Sequence, residues 1–176
     1  MRPADLTPVA RDVMKGPASF GLILFSLLGA YLLSALPWSG NWLLARPDFL
    51  LVVLVFWTVH EPRSVGQGVA FMAGLLMDVS DSMLLGQHAL AYTAAVFGAQ
   101  VLRVRILSFH LPEQTLHVLG LTIVSDAVLL ALNLLLGAQF PGAAYLVSPL
   151  ATALCWAPVS WVLYWPAVRR RREGAS

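Results

Sequence analysis

Six long apolar runs with almost no charge constrain the fold of this chain more than any other feature. They cover residues 18–36, 49–59, 65–77, 83–102, 115–136 and 137–168. A helix rises about 1.5 Å per residue, so roughly 20 apolar residues cross a hydrocarbon core of about 30 Å. The chain is 59% hydrophobic and 11% charged, whereas soluble domains are about 45–50% apolar and about 25% charged. These features predict an all-α integral membrane protein with a six-transmembrane-helix bundle.

The basic residues predict the orientation of this bundle. With six spans and an internal N-terminus, every lysine and arginine except Arg46 lies on the inner side: Arg2, Arg11, Lys15, Arg63, Arg103, Arg105 and residues 169–172. By the positive-inside rule both termini are predicted to be cytoplasmic. The predicted organisation is a cytoplasmic tail (1–17), a transmembrane domain (18–168) and a basic cytoplasmic tail (169–176). We expect the basic tail to contact anionic membrane lipids, and we expect no nucleic acid partner.

Small residues recur at intervals of four in the third run. Gly66, Ala70 and Gly74 are followed, after the same interval, by Asp78. Positions four apart share one face of a helix, and small side chains allow membrane helices to approach closely. The spacing predicts a packing groove, for a neighbouring helix or for a partner, with Asp78 at its outer end.

A second group of polar residues is predicted inside the bundle or at its outer mouth: Arg46, Asp78, His88, Asp126 and Asn133. Pro47 is expected at the first position of helix two, with Asp48 in its first turn. Asp126 is the one acid within its long apolar run. A carboxylate inside a membrane costs about 2.5–3.5 kcal/mol on insertion scales, so Asp126 should face the bundle interior. We expect it at a depth similar to that of Asp78, in the outer half.

These residues leave three classes of function open. Asp78 and Asp126 could form an aspartyl intramembrane protease, although the sequence around Asp78 lacks the Gly-x-Gly-Asp pattern of one such family. An outward polar cavity could instead bind a vitamin-like molecule for uptake. The third class is a non-catalytic assembly subunit. His110, Glu113 and His117 imitate a metal-binding spacing, but Pro112 predicts that His110 lies outside the helix, so we expect no metal and no cofactor.

The segments RPDFLLVVLVFW (46–57) and EPRSVGQGVAFMAGLLMDVSDSMLLGQHALAY (61–92) resemble the MreD family of bacterial rod shape-determining membrane proteins. The positions that coincide with the family pattern are Arg46, Pro47, Pro62, Gly66, Gly74, Asp78, Gly86 and His88. The resemblance implies a non-enzymatic subunit of the cell-elongation complex in the inner membrane, with MreC as its direct partner. The wider complex would include MreB, RodA and its class B penicillin-binding transpeptidase. It also implies a fold similar to the substrate-binding subunits of energy-coupling-factor transporters.

Overall fold

The computed structural model describes residues 18–36, 46–138 and 142–163, and all regular structure within these ranges is helical. The elements are α1 (Phe20–Ser34), α2 (Phe49–His60), α3 (Gln67–Ser80), α4 (Gln87–Ser108), α5 (Leu111–Leu135), a 3-10 turn (Ala143–Leu146) and α6 (Val147–Leu154). After a turn at Cys155, residues 156–163 are helical again. The prediction of an all-helical protein is therefore confirmed. The predicted tails, 1–17 and 169–176, lie outside the described residues.

Two of the described helices are long and apolar enough to cross a membrane. These are α4, with 22 residues, and α5, with 25 residues. The helices Phe20–Ser34, Phe49–His60, Gln67–Ser80 and Val147–Leu163 are apolar but shorter. Six complete spans therefore stay a prediction, whereas six apolar helical segments are present in the described part of the chain.

Helix α2 is the centre of the bundle. Every residue from 50 to 59 is buried, and α2 contacts α1, α4, α5 and α6. A helix that is apolar on all sides is stable only where neighbours enclose it, and here the neighbours belong to the same chain. The indole N–H of Trp57, which is fully buried, donates a hydrogen bond of 2.8 Å to the Ser26 hydroxyl on α1. The largest polar side chain of α2 is thus satisfied inside the core.

Both ends of α2 form hydrogen bonds with side chains. Asp48 is its N-cap, and its Oδ1 accepts a hydrogen bond of 2.9 Å from the backbone N–H of Leu51. The backbone N–H of Asp48 in turn donates to Thr152 Oγ1 on α6 at 2.9 Å. At the other end, Arg103 Nε on α4 donates to the carbonyl oxygen of Val59 at 2.7 Å. Helix ends expose unpaired backbone groups, so these contacts make burial of a short helix possible.

The predicted start of helix two was wrong because capping geometry decides it. Helix α2 begins at Phe49, so Pro47 is not its first residue and Asp48 caps it from outside the first turn. Helix α4 begins at Gln87 after Gly86, whose φ is 108°. Because that left-handed backbone conformation favours glycine and ends the preceding turn, the helix cannot start earlier.

The predicted groove of small residues contacts α4 of the same chain. Ala70 and Gly74 are buried on α3, and a Cβ atom at Gly74 would meet the backbone of Ala89 and lie 2.6 Å from the carbonyl carbon of His88. Gly66 is instead the N-cap of α3, where a Cβ atom would make only ordinary contacts. The backbones of α3 and α4 therefore approach most closely at Gly74, and α4 occupies the space that a partner helix would need there.

We predict that Gly74→Ala destabilises the bundle, because the added methyl group collides with backbone atoms that cannot rotate away. Overpacking of this kind costs about 1–3 kcal/mol. Gly68→Ala is the matched control on the same helix, since no atom lies within 4 Å of a Cβ atom at that position. Thermal unfolding of the purified protein in mild detergent should show a lower midpoint for Gly74→Ala alone. Equal midpoints for the two variants would contradict the close approach.

Candidate functional site

A cavity of about 440 Å³ lies at the end of the bundle formed by the start of α2, the end of α3 and the start of α4. The C-terminal part of α5 and the residues around the start of α6 complete its wall. Its lining residues, among those described, are Arg46, Asp48, Met77, Asp81, Met83, His88, Asp126, Leu129, Asn133, Tyr145 and Ser148. The polar residues singled out from the sequence are all among them except Asp78. One cavity therefore brings together side chains that are up to 102 positions apart in the sequence.

Asp78 lies behind the cavity wall and caps α4. Its side chain is fully buried, and its Oδ2 accepts a hydrogen bond of 2.7 Å from the backbone N–H of Gly86. Its Oδ1 accepts from the backbone N–H of His88 at 2.8 Å and from His88 Nδ1 at 2.9 Å. Gly86, the N-cap residue, has no side chain with which to cap the helix. A carboxylate from α3 takes over that role, which is favourable at the positive end of a helix dipole.

The contact with Asp78 also determines how His88 faces the cavity. Because the carboxylate of Asp78 accepts, Nδ1 of His88 carries the proton and donates. Nε2 lies on the other side of the ring, 3.9 Å from Asp81 Oδ2, and His88 lines the cavity. In a neutral imidazole this second nitrogen is a hydrogen-bond acceptor. The ring also packs edge-on against Tyr92, with centroids 5.7 Å apart.

Arg46 forms a two-point ion pair with Asp81. The distances are 3.1 Å from Nη1 to Oδ1 and 3.0 Å from Nη2 to Oδ2, and the side chains are 18% and 21% exposed. Such paired hydrogen bonds fix the guanidinium in one plane. The carbonyl oxygen of Arg46 also accepts from the Ser148 hydroxyl at 3.1 Å. The residue thus joins the entrance of α2 to the end of α3 and to α6.

Asp48 and Asp81 are cavity residues that the sequence analysis did not select. Besides capping α2, Asp48 accepts a hydrogen bond of 2.6 Å at Oδ2 from the Tyr92 hydroxyl. Asp48 lies at the N-terminal end of α2, where acidic residues commonly cap a helix, whereas Asp81 follows the C-terminal end of α3, where they do not. The sequence placed Asp81 on the same predicted side as Arg46, but it did not show that the two residues pair.

Asp126 differs from the other carboxylates because one of its oxygens accepts no hydrogen bond. Among the described residues nothing donates to Oδ2, which is buried. The main-chain carbonyl of Asp126 does accept from the Tyr145 hydroxyl at 3.2 Å. Asn133, seven residues further along α5, lines the same cavity.

This arrangement does not support acid–base chemistry by Asp78 and Asp126 as a catalytic pair. Two carboxylates that share a proton must face one another, but Asp78 is covered and both of its oxygens accept N–H groups. Within the described ranges, no group of three or more histidine, cysteine, aspartate or glutamate side chains could hold a metal ion. His110 and Glu113, from the metal-like spacing, instead form the capping box of α5.

We predict that Asp78→Ala destabilises the protein more than Asp81→Ala. The first change leaves the N–H groups of Gly86 and His88 without their acceptor, and hydrogen bonds to charged groups contribute about 1.5–3 kcal/mol each. The second removes a partly exposed ion pair, which contributes about 0–1 kcal/mol. Thermal unfolding in the same detergent measures both. If Asp81→Ala lowered the midpoint as much as Asp78→Ala, capping of α4 would not be the main role of Asp78.

Comparison with known proteins agrees with the resemblance seen in the sequence. The family model described as rod shape-determining protein MreD matches residues 17–166. A protein from Haemophilus influenzae, named rod shape-determining protein MreD, is 31% identical over 68 residues. That alignment covers 39% of this chain and 42% of the relative, so it spans less than half of the relative's length. No solved structure matches the chain. Because the family model spans most of the sequence, the chain belongs to the MreD family of rod shape-determining proteins.

Proposed function

We propose that this chain is a non-catalytic membrane subunit of the bacterial cell-elongation complex. In this role it binds MreC and helps to control lateral peptidoglycan synthesis and rod shape, within a wider assembly that contains MreB, RodA and its class B penicillin-binding transpeptidase. The observation that carries the proposal is the family match over residues 17–166. The position of Asp78 supports it further, since this residue is fully buried and caps α4 instead of lining the cavity beside Asp126, as a catalytic aspartate pair would require.

The surface of the bundle supports a location in the inner membrane. Large apolar side chains are exposed on several helices, including Phe25 on α1 (74%), Met72 on α3 (60%) and Val101 on α4 (67%). Apolar surface in water is unfavourable by about 25 cal/mol per Å², and lipid removes that cost. Together with the distribution of basic residues, this favours six spans with both termini in the cytoplasm. The cavity then opens towards the outer face.

This topology predicts which positions a membrane-impermeant thiol reagent reaches in intact cells. In a Cys155→Ala background, Leu85→Cys in the α3–α4 turn should be labelled from outside, because that turn lies on the outer side. Ser64→Cys in the α2–α3 turn should be labelled only after the membrane is made permeable. Both positions are exposed, so protein burial does not protect either thiol. Labelling in the reverse order would overturn the orientation.

Asp126 is the best test of the assembly role. We predict that Asp126→Leu inserts normally, because leucine is more favourable than aspartate within an apolar helix. The change should reduce retention of MreC during purification and disturb rod shape, because it removes the carboxylate that, in our proposal, contributes to the partner contact. Cell shape at native expression and the amount of co-purified MreC are the measurements.

Ala127→Leu is the control for Asp126→Leu, since it adds leucine at the next position, which is exposed. It should leave rod shape and MreC retention unchanged. Normal rods in cells that carry Asp126→Leu would count against a role of this carboxylate in assembly.

A second candidate function is a small-molecule-binding membrane component of a transporter. The cavity favours it, because about 440 Å³ lies within the range of roughly 300–1,000 Å³ that is usual for ligand pockets. This second candidate includes the proposal that the chain is similar in fold to the substrate-binding subunits of energy-coupling-factor transporters. Purification in mild detergent with and without MreC, followed by mass spectrometry, separates the two functions. A stoichiometric complex without a small molecule favours assembly, and a small molecule retained without MreC favours transport.

A further inference from the structure

We propose that the cavity binds a small organic cation, with a guanidinium or ammonium group against the carboxylate of Asp126. The inference adds a ligand class to the second candidate function, and it does not rest on the assembly role. It follows from the ionisable groups of the cavity, from a carboxylate oxygen in its lining that has no donor among the described residues, and from the size of the space.

Carboxyl groups outnumber basic groups among the described residues that line the cavity. Apart from His88, Arg46 is the one basic residue among the described residues that line the cavity. Its two-point ion pair with Asp81 neutralises the charge of the guanidinium. Asp48 and Asp126 remain. The occupant that the cavity favours is therefore a cation.

The hydrogen-bonding pattern identifies the carboxylate that meets the ligand. Both oxygens of Asp48 already accept, from Leu51 and Tyr92, and both oxygens of Asp81 accept from Arg46. Asp126 Oδ2 accepts nothing among the described residues. A buried acceptor without a donor is unfavourable, and a ligand that donates to it removes that penalty. The terminal torsion of aspartate is broad, so either oxygen can turn towards a donor in the cavity.

The other walls fit an organic molecule better than a bare metal ion. Nε2 of a neutral His88 can accept a hydrogen bond from a ligand. Met77, Met83 and Leu129 provide an apolar surface in the same cavity. Calcium needs about six to eight oxygen ligands, and the described residues offer no cluster of that kind. A ligand with one cationic end and a short apolar stem satisfies the free acceptors and the apolar wall together.

The test uses the full-length protein in lipid nanodiscs and two matched probes, n-butylguanidinium and n-butylurea. The probes have almost the same size and shape and differ in charge. We expect n-butylguanidinium to bind about tenfold more tightly than n-butylurea, as one charge-assisted hydrogen bond would produce. In Asp126→Asn, which keeps the size of the side chain, this preference should disappear. In Ala127→Ser, a change at an exposed position of the same helix, the preference should remain.

A second measurement on the unmodified protein keeps the test independent of how the variants fold. Bound n-butylguanidinium should slow the modification of His88 by diethylpyrocarbonate, read by peptide mass spectrometry, and n-butylurea should not. Equal affinity for the two probes, a preference that survives Asp126→Asn, or unprotected His88 would overturn the proposal. Because no partner protein is present, any of these results leaves the rod-shape assay of the assembly role unaffected.

Discussion

The structure depends on one constraint, which is that a short buried helix needs hydrogen-bond partners at both ends. Helix α2 is enclosed along residues 50–59, so water does not solvate its terminal N–H and C=O groups as it would on a surface helix. The side chains of Asp48 and Thr152 accept hydrogen bonds at its N-terminal end, and Arg103 donates one at its C-terminal end. These contacts come from segments before α2, from α6 and from α4. The hydrogen bonds at the ends of α2 thus constrain the positions of those segments, and apolar side chains pack in the remaining space.

The same principle builds the cavity. Helix α4 starts at a glycine that cannot cap it, so the carboxylate of Asp78 reaches across from α3 and binds the N–H groups of Gly86 and His88. This contact requires close approach of the two helices, and Gly74 permits it because it has no side chain. The capping carboxylate also orients the ring of His88 towards the cavity. The carboxylate of Asp78, which caps α4, therefore also positions the side chain of His88 at the cavity that several helices form together.

Much of this organisation could be predicted because it follows from local patterns. Apolar runs identified the helical segments, and the recurrence of small residues identified the face of α3 that packs closely at Ala70 and Gly74. The rarity of charge inside apolar runs pointed to Asp126. The start of α2 was less predictable, since Asp48 decides it by capping the helix from outside its first turn. The partner of each carboxylate was also out of reach, because Arg46 and Asp81 meet only after three helices have packed.

The sequence by itself determined the all-helical class, the apolar segments that favour a membrane environment and the polar side chains available within them. These properties depend on composition and periodicity, which are visible along one chain. Only the tertiary structure decided which role each of the aspartates has. Asp78 became a covered cap, Asp81 the counter-ion of Arg46, Asp48 a cap that also binds Tyr92, and Asp126 the carboxylate with an oxygen left unpaired. The physical reason is that a carboxylate's role depends on which donors reach it in space, and those donors come from distant helices.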